Sequence, residues 1–216
     1  MFRTLKERLI VISLLLITGL FSLKADEKLR TESPKFFFET GSPPWAGERI
    51  PLPPGFARDL GWTGVEEIRF APGMFKPSES DFFSYILVFA LKAGSDISED
   101  GLERELLTYY RGLSKSVMSD SGLSVDTHAF TVTVEPAAEE HSGAPDKTPK
   151  ADSWTGTLNW LEPFATRETQ TLHLEIHTWK QGETPVVLSC VSPLDPKTNN
   201  SIWDSLRVIR KSFCLE

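Results

Sequence analysis

The sequence contains few of the patterns that mark common catalytic sites. Its 216 residues include only two cysteines and four histidines. The motifs G-x-S-x-G, G-x-G-x-x-G, C-x-x-C and H-E-x-x-H are absent, and so is the P-loop motif. The sequence therefore does not indicate the hydrolase, nucleotide-binding, dithiol and metalloprotease chemistries that depend on these motifs.

The chain has fewer basic residues than acidic residues. The chain has 23 Lys and Arg against 30 Asp and Glu, a net charge of −7. Residues 1–25 hold four of the basic residues and one acidic residue, so the remainder has 19 basic and 29 acidic residues, a net charge of −10. Such a chain repels phosphate backbones, and no segment concentrates basic residues. We therefore expect no nucleic-acid partner.

The sequence also lacks an apolar run as long as a typical membrane span, which needs about 20 residues. Its most apolar segment is 9–23, preceded by three basic residues and followed by the small residue Ala25. This order is typical of a secretory signal peptide over residues 1–25. We expect cleavage after Ala25 and a periplasmic or secreted location. A retained N-terminal anchor is the alternative, because Leu23 is not the small residue preferred near a cleavage site, and membrane contact is expected only in that case.

The two cysteines, Cys190 and Cys214, lie close together in the C-terminal part of the chain. An oxidising compartment would allow them to pair. If the last helix packs on the strand that carries Cys190, the two thiols come within reach, so we predict a disulfide. Two buried free thiols are the alternative.

Residues 26–62 are predicted to form an extended arm, because five prolines fall between residues 43 and 54 and disfavour both helix and central strand. Residues 63–216 are predicted to form a single domain. Within it, 137–153 contains almost nothing to bury and is predicted to be a flexible loop.

The remaining segments predict six strands and two helices. Segment 81–91 is apolar on both faces and is therefore expected to be a central strand. The predicted strands are 65–71, 81–91, 127–135, 154–161, 171–179 and 185–191, and the predicted helices are 99–118 and 201–213. We expect an α+β fold with an antiparallel sheet of about five or six strands and two main helices. The order of elements from Val65 to Phe213 is similar to that of the α/β/α sandwich of the PsbP-like proteins, a resemblance of layout that carries no site residues.

One strand groups polar residues of interest for chemistry. From Thr171 to Trp179, apolar residues alternate with His173, Glu175 and His177, so these three share one face. Neighbours on that face lie about 6.5–7 Å apart, and two imidazoles with a carboxylate resemble a zinc-type ligand set. The sequence therefore suggests a divalent metal site at His173, Glu175 and His177. The alternative is an ordinary solvated sheet face, continuous with Thr155, Thr157 and Asn159 on the neighbouring strand.

Three functions follow from these observations. The leading one is an exported, non-enzymatic binding or accessory domain without a cofactor, whose partner is a protein or a small ligand. The second is a metal-dependent hydrolase that uses His173, Glu175 and His177. The third is an envelope protein held by an uncleaved N-terminus.

Overall fold

The structure, a computed structural model, describes residues 34–138, 143–198 and 201–216. In these ranges the chain forms nine β-strands and two α-helices, and Lys35–Glu216 form one compact unit. The strands are β1 Phe36–Phe37, β2 Ala46–Leu52, β3 Gly64–Phe70, β4 Tyr85–Leu91, β5 Thr131–Pro136, β6 Asp152–Leu161, β7 Thr169–Gln181, β8 Thr184–Ser192 and β9 Cys214–Leu215; the helices are α1 Glu99–Asp120 and α2 Ser201–Ser212. The predicted signal peptide lies outside the described residues. Neither described helix has the length and apolar character needed to cross a membrane.

Seven strands form one antiparallel sheet in the order β2-β3-β4-β8-β7-β6-β5. Two meanders, β2–β3–β4 and β5–β6–β7–β8, meet where β4 pairs with β8. Helix α1 carries the chain from β4 in the middle of the sheet to β5 at its edge. Strands β1 and β9 form a separate pair, with Phe36 opposite Leu215. The predicted α+β fold with an antiparallel sheet and two main helices is confirmed.

Each face of the sheet packs against one helix. On the face that we call the α1 face, Leu102 and Leu106 of α1 join the larger apolar cluster. On the opposite face, called the α2 face, Leu206 and Ile209 of α2 join a second cluster with residues from both chain ends. The sheet is therefore the middle layer of three. Helix α1 begins as predicted after Ser98, whose hydroxyl accepts a hydrogen bond from the backbone N–H of Gly101 at 3.3 Å.

All seven residues of β4 are buried, as expected for a central strand. The sheet has one strand more than predicted, because the proline-rich arm contributes β2. Pro51 is tolerated there since β2 lies at the sheet edge, where a strand pairs on one side only. Ile50 and Leu52 are buried and hold this part of the arm against the domain.

The connection between β5 and β6 contains the loop predicted at 137–153. Its residues 139–142 lie outside the described residues. The backbone N–H of Asp146 donates to the carbonyl of Lys211 at 3.2 Å, and a Cβ placed on Gly143 would lie 2.8 Å from an Arg210 nitrogen. The described part of this loop is therefore in contact with the end of α2.

Candidate functional site

Strand β7 has the two faces that its sequence predicts. Leu172, Leu174 and Ile176 are at most 2% exposed and belong to the apolar cluster on the α1 face. The alternate residues therefore point to the α2 face. What lies over that face decides whether the polar side chains of β7 meet water or protein.

Glu175 meets protein, so its predicted place on a solvated face is wrong. Arg207 donates to one carboxylate oxygen from Nε at 3.1 Å and from Nη2 at 2.6 Å, and Arg210 donates to the other from Nη1 at 2.5 Å. Burial by itself raises the pKa of Glu175, but the hydrogen bonds and charges of the two arginines outweigh it and hold the pKa below 4.5. Glu175 is thus an ionised carboxylate that fastens α2 to the sheet.

His177 is buried in the same place and is 1% exposed. Its Nδ1 lies 3.1 Å from the hydroxyl of Ser153, and its Nε2 has no hydrogen-bond partner among the described residues. Burial, reinforced by the charge of Arg210, lowers the pKa of His177 to about 4. The imidazole is therefore neutral at pH 7.

His173 lies outside the area that α2 covers. It is half-buried and stands opposite Thr157 on one side and Ser192 on the other. In the described ranges, no group of three or more His, Cys, Asp and Glu side chains is arranged to hold a metal ion. In the predicted metal site, the carboxylate between the two imidazoles is engaged by arginines.

The predicted disulfide is absent, and both cysteines are free thiols. Cys190 lies under the middle of α2, where its thiol contacts the carbonyl of Leu206 at 3.6 Å. Cys214 lies past the end of α2 in β9, opposite Phe37. The helix does pack on the face that carries Cys190, as expected, but Cys190 meets its middle instead of its C-terminal end.

The outer part of the α2 face, on β5, β6 and β7, carries a group of polar side chains linked across the strands. The hydroxyls of Thr133 and Thr157 are 2.6 Å apart. Asn159 donates to Thr131 at 3.2 Å and accepts from Thr171 at 2.7 Å. We call this surface the threonine patch; it consists of Thr131, Thr133, Thr155, Thr157, Asn159, Thr171 and His173. These residues are exposed or half-buried.

The sequence identified part of this surface. It placed Thr155, Thr157 and Asn159 beside the polar face of β7, and this is confirmed. The contribution of β5 was missed, because the strand next to β6 cannot be read from local alternation.

A second polar feature, on β3, was also missed. Glu66 and Glu67 point to opposite faces, as their adjacency predicts, yet both are buried, at 0% and 4% exposure. The available signal was the adjacent pair Glu66 and Glu67 between apolar residues of one predicted strand.

No protein-family model matches the chain, and no curated protein matches it significantly. Among solved structures, the chain is similar to the crystal structure of LpqN, which is involved in cell envelope biogenesis of Mycobacterium tuberculosis. The two share 13% sequence identity with a TM-score of 0.28, over 91% of this chain and 99% of LpqN. A TM-score this low says nothing about a shared function.

Proposed function

We propose that this protein is an exported, non-enzymatic binding domain, periplasmic or secreted, and that the threonine patch binds its ligand. The observation that carries the proposal is the partial cover of the α2 face. Helix α2 shields β4, β8 and Glu175 of β7, whereas the patch on β5, β6 and β7 lies beyond it. All seven patch residues are polar, and Thr131, Thr133, Asn159 and Thr171 are exposed, so core packing does not explain this surface.

The composition of the patch favours a neutral ligand. Its groups are hydroxyls, one amide and one imidazole, and an exposed carboxylate, Glu135, stands opposite Thr155 at its border. Hydrogen bonds are therefore its main means of recognition. Because cross-strand hydrogen bonds already hold several of these side chains, little conformational entropy is lost when a ligand binds.

Export is supported by the pattern of residues 1–25 and is tested by the mass of the protein made from its full sequence in a secreting host. We expect the mature chain to begin at Asp26 and to be recovered outside the cytoplasm. A chain beginning at Met1 in the membrane fraction would favour the anchored envelope protein instead.

Binding is tested by amide chemical shifts of the purified protein in the presence of soluble neutral oligosaccharides. We expect saturable shifts confined to β5, β6 and β7. A Thr157→Lys variant should abolish them, because the long charged side chain covers the patch. Gln181→Lys adds the same charge at an exposed position in the hairpin between β7 and β8 and should leave them unchanged. Shifts that survive Thr157→Lys, or no saturable shifts with the wild-type protein, would contradict the proposal.

A further inference from the structure

Glu66 is a carboxyl group in the interior between the sheet and α1. It is 0% exposed. The hydroxyl of Tyr109 on α1 donates to Oε1 at 2.8 Å, and Oε2 has no hydrogen-bond partner among the described residues. A buried carboxylate with a single donor is poorly compensated for the water that it loses.

The adjacent residue provides an internal comparison. Glu67, on the α2 face, is buried to nearly the same degree, but Arg49 and Arg69 lie 2.6 Å and 2.5 Å from its two oxygens. Two carboxyl groups next to each other in one strand thus have opposite surroundings. Glu67 is paired with cations, whereas the hydrogen-bond partner of Glu66 is a neutral phenol.

The other titratable groups around Glu66 do not compensate a negative charge. On α1, Tyr109 is followed by Tyr110, whose hydroxyl lies 2.5 Å from that of Tyr85 on β4. From β2, the carboxylate of Glu48 repels a charge on Glu66. The nearby α1 carboxylate, Glu105, is turned to the Gly61 N–H and to Arg104.

Burial, with a smaller contribution from the charge of Glu48, therefore raises the pKa of Glu66 to about 8, although the Tyr109 hydrogen bond acts in the opposite direction. The carboxyl group is thus protonated in the folded protein at neutral pH. Burying the neutral carboxyl group costs less free energy than burying its charged form.

We propose that Glu66 is a proton-dependent latch: its neutral carboxyl lets the middle of α1 lie against the sheet, and its ionisation loosens α1. The contact at risk is Tyr109, whose ring packs edge-on against Phe56 and Phe89, at centroid distances of 5.1 and 5.8 Å. An anion at Glu66 draws water toward this aromatic group. The latch does not depend on the threonine patch, which lies on the opposite face of the sheet.

The sign of the effect follows from proton binding. The pKa of Glu66 is about 8 when folded and 4.5 when exposed, so the folded state binds the extra proton between these values. The contribution of Glu66 is therefore most favourable below pH 4.5 and is lost as the pH rises through 8.

The test is urea unfolding of the purified protein from pH 5 to 9, together with hydrogen exchange of α1 amides corrected for the intrinsic pH dependence. We expect the folding constant to fall about 1000-fold over this range and α1 amides to lose protection first. Glu66→Gln is a neutral isostere and should remove most of the fall. Glu67→Gln is the matched control. It should lower stability at every pH but leave the decrease of the folding constant at alkaline pH unchanged.

An unchanged pH dependence in Glu66→Gln would overturn the proposal. If this variant does not fold, infrared spectroscopy of the wild-type protein decides the matter. A carboxylic acid C=O band that is present at pH 6.5 and disappears above pH 8 is expected, and its absence at pH 6.5 would refute the latch.

Discussion

Single buried carboxylates have different roles in this protein, and each role depends on the donors around the carboxylate. Glu162, which is 0% exposed, lies where β6 turns toward β7. It accepts hydrogen bonds from the backbone N–H groups of Phe164, Ala165 and Thr166 at 2.5–3.0 Å. The side chain of Glu162 therefore organises the backbone of the turn between β6 and β7.

Replacing Glu162 by Ala should remove the acceptor for all three N–H groups. We expect the free energy of unfolding to fall by about 2–4 kcal/mol, because three half-buried N–H groups lose a charged acceptor at once. Urea denaturation measures this loss. Glu168→Ala removes an exposed carboxylate in the same turn and should change stability by less than about 0.5 kcal/mol. Equal losses in the two variants would show that the Glu162 carboxylate does not organise the turn.

At the scale of elements, helix α2 supplies the charged partners of the polar side chains on the α2 face of β7. The helix places two arginines on one carboxylate, so the interface holds one excess positive charge. Removing the carboxylate leaves Arg210, which is 3% exposed, without its compensating anion.

A Glu175→Gln substitution should therefore cost about 3–5 kcal/mol, more than an ordinary surface ion pair contributes. The double variant Glu175→Leu/Arg210→Met should recover part of the loss, because it removes both charges. Val208→Ala, at a position on α2 that is 64% exposed, is the neutral control. The measurement is a set of urea titrations for all three variants. A double variant less stable than Glu175→Gln would contradict this account of helix docking.

The whole molecule should be most stable in mildly acidic solution. Glu66 lowers stability as the pH rises from 4.5 toward 8. The pKa of His177 is about 4 in the folded protein and 6.5 when the side chain is exposed. As the pH falls from 6.5 to 4, the unfolded state binds a proton on His177 that the folded state does not. The free energy of unfolding therefore decreases by about 3 kcal/mol over this range. The two effects overlap between pH 4.5 and 6.5, where we expect the maximum.

Thermal unfolding midpoints measured from pH 4 to 9 test this expectation. His177→Gln should weaken the acidic fall and leave the alkaline fall intact. A stability maximum at or above pH 7 would be incompatible with the buried states of both groups.

Much of the fold could be predicted because it depends on local patterns. The apolar run in β4 predicted a central strand, and the helical periodicity of 99–118 predicted α1. Strand β2 was missed because its prolines disfavour a strand in general, and only its position at the sheet edge makes Pro51 acceptable. Thr131 and Thr133 of the threonine patch were missed because the pairing of β5 with β6 joins segments separated by a long connection.

The sequence by itself determined which residues of each element share a face, since the periods of 2 and 3.6 residues are properties of the backbone. It therefore identified His173, Glu175 and His177 as neighbours on one side of β7. Only the tertiary structure decided what each of them meets. A helix that begins 24 residues after His177 covers Glu175 and His177 and leaves His173 at the edge of an open surface. The exposure of a strand face depends on the packing of distant segments, which local alternation does not record.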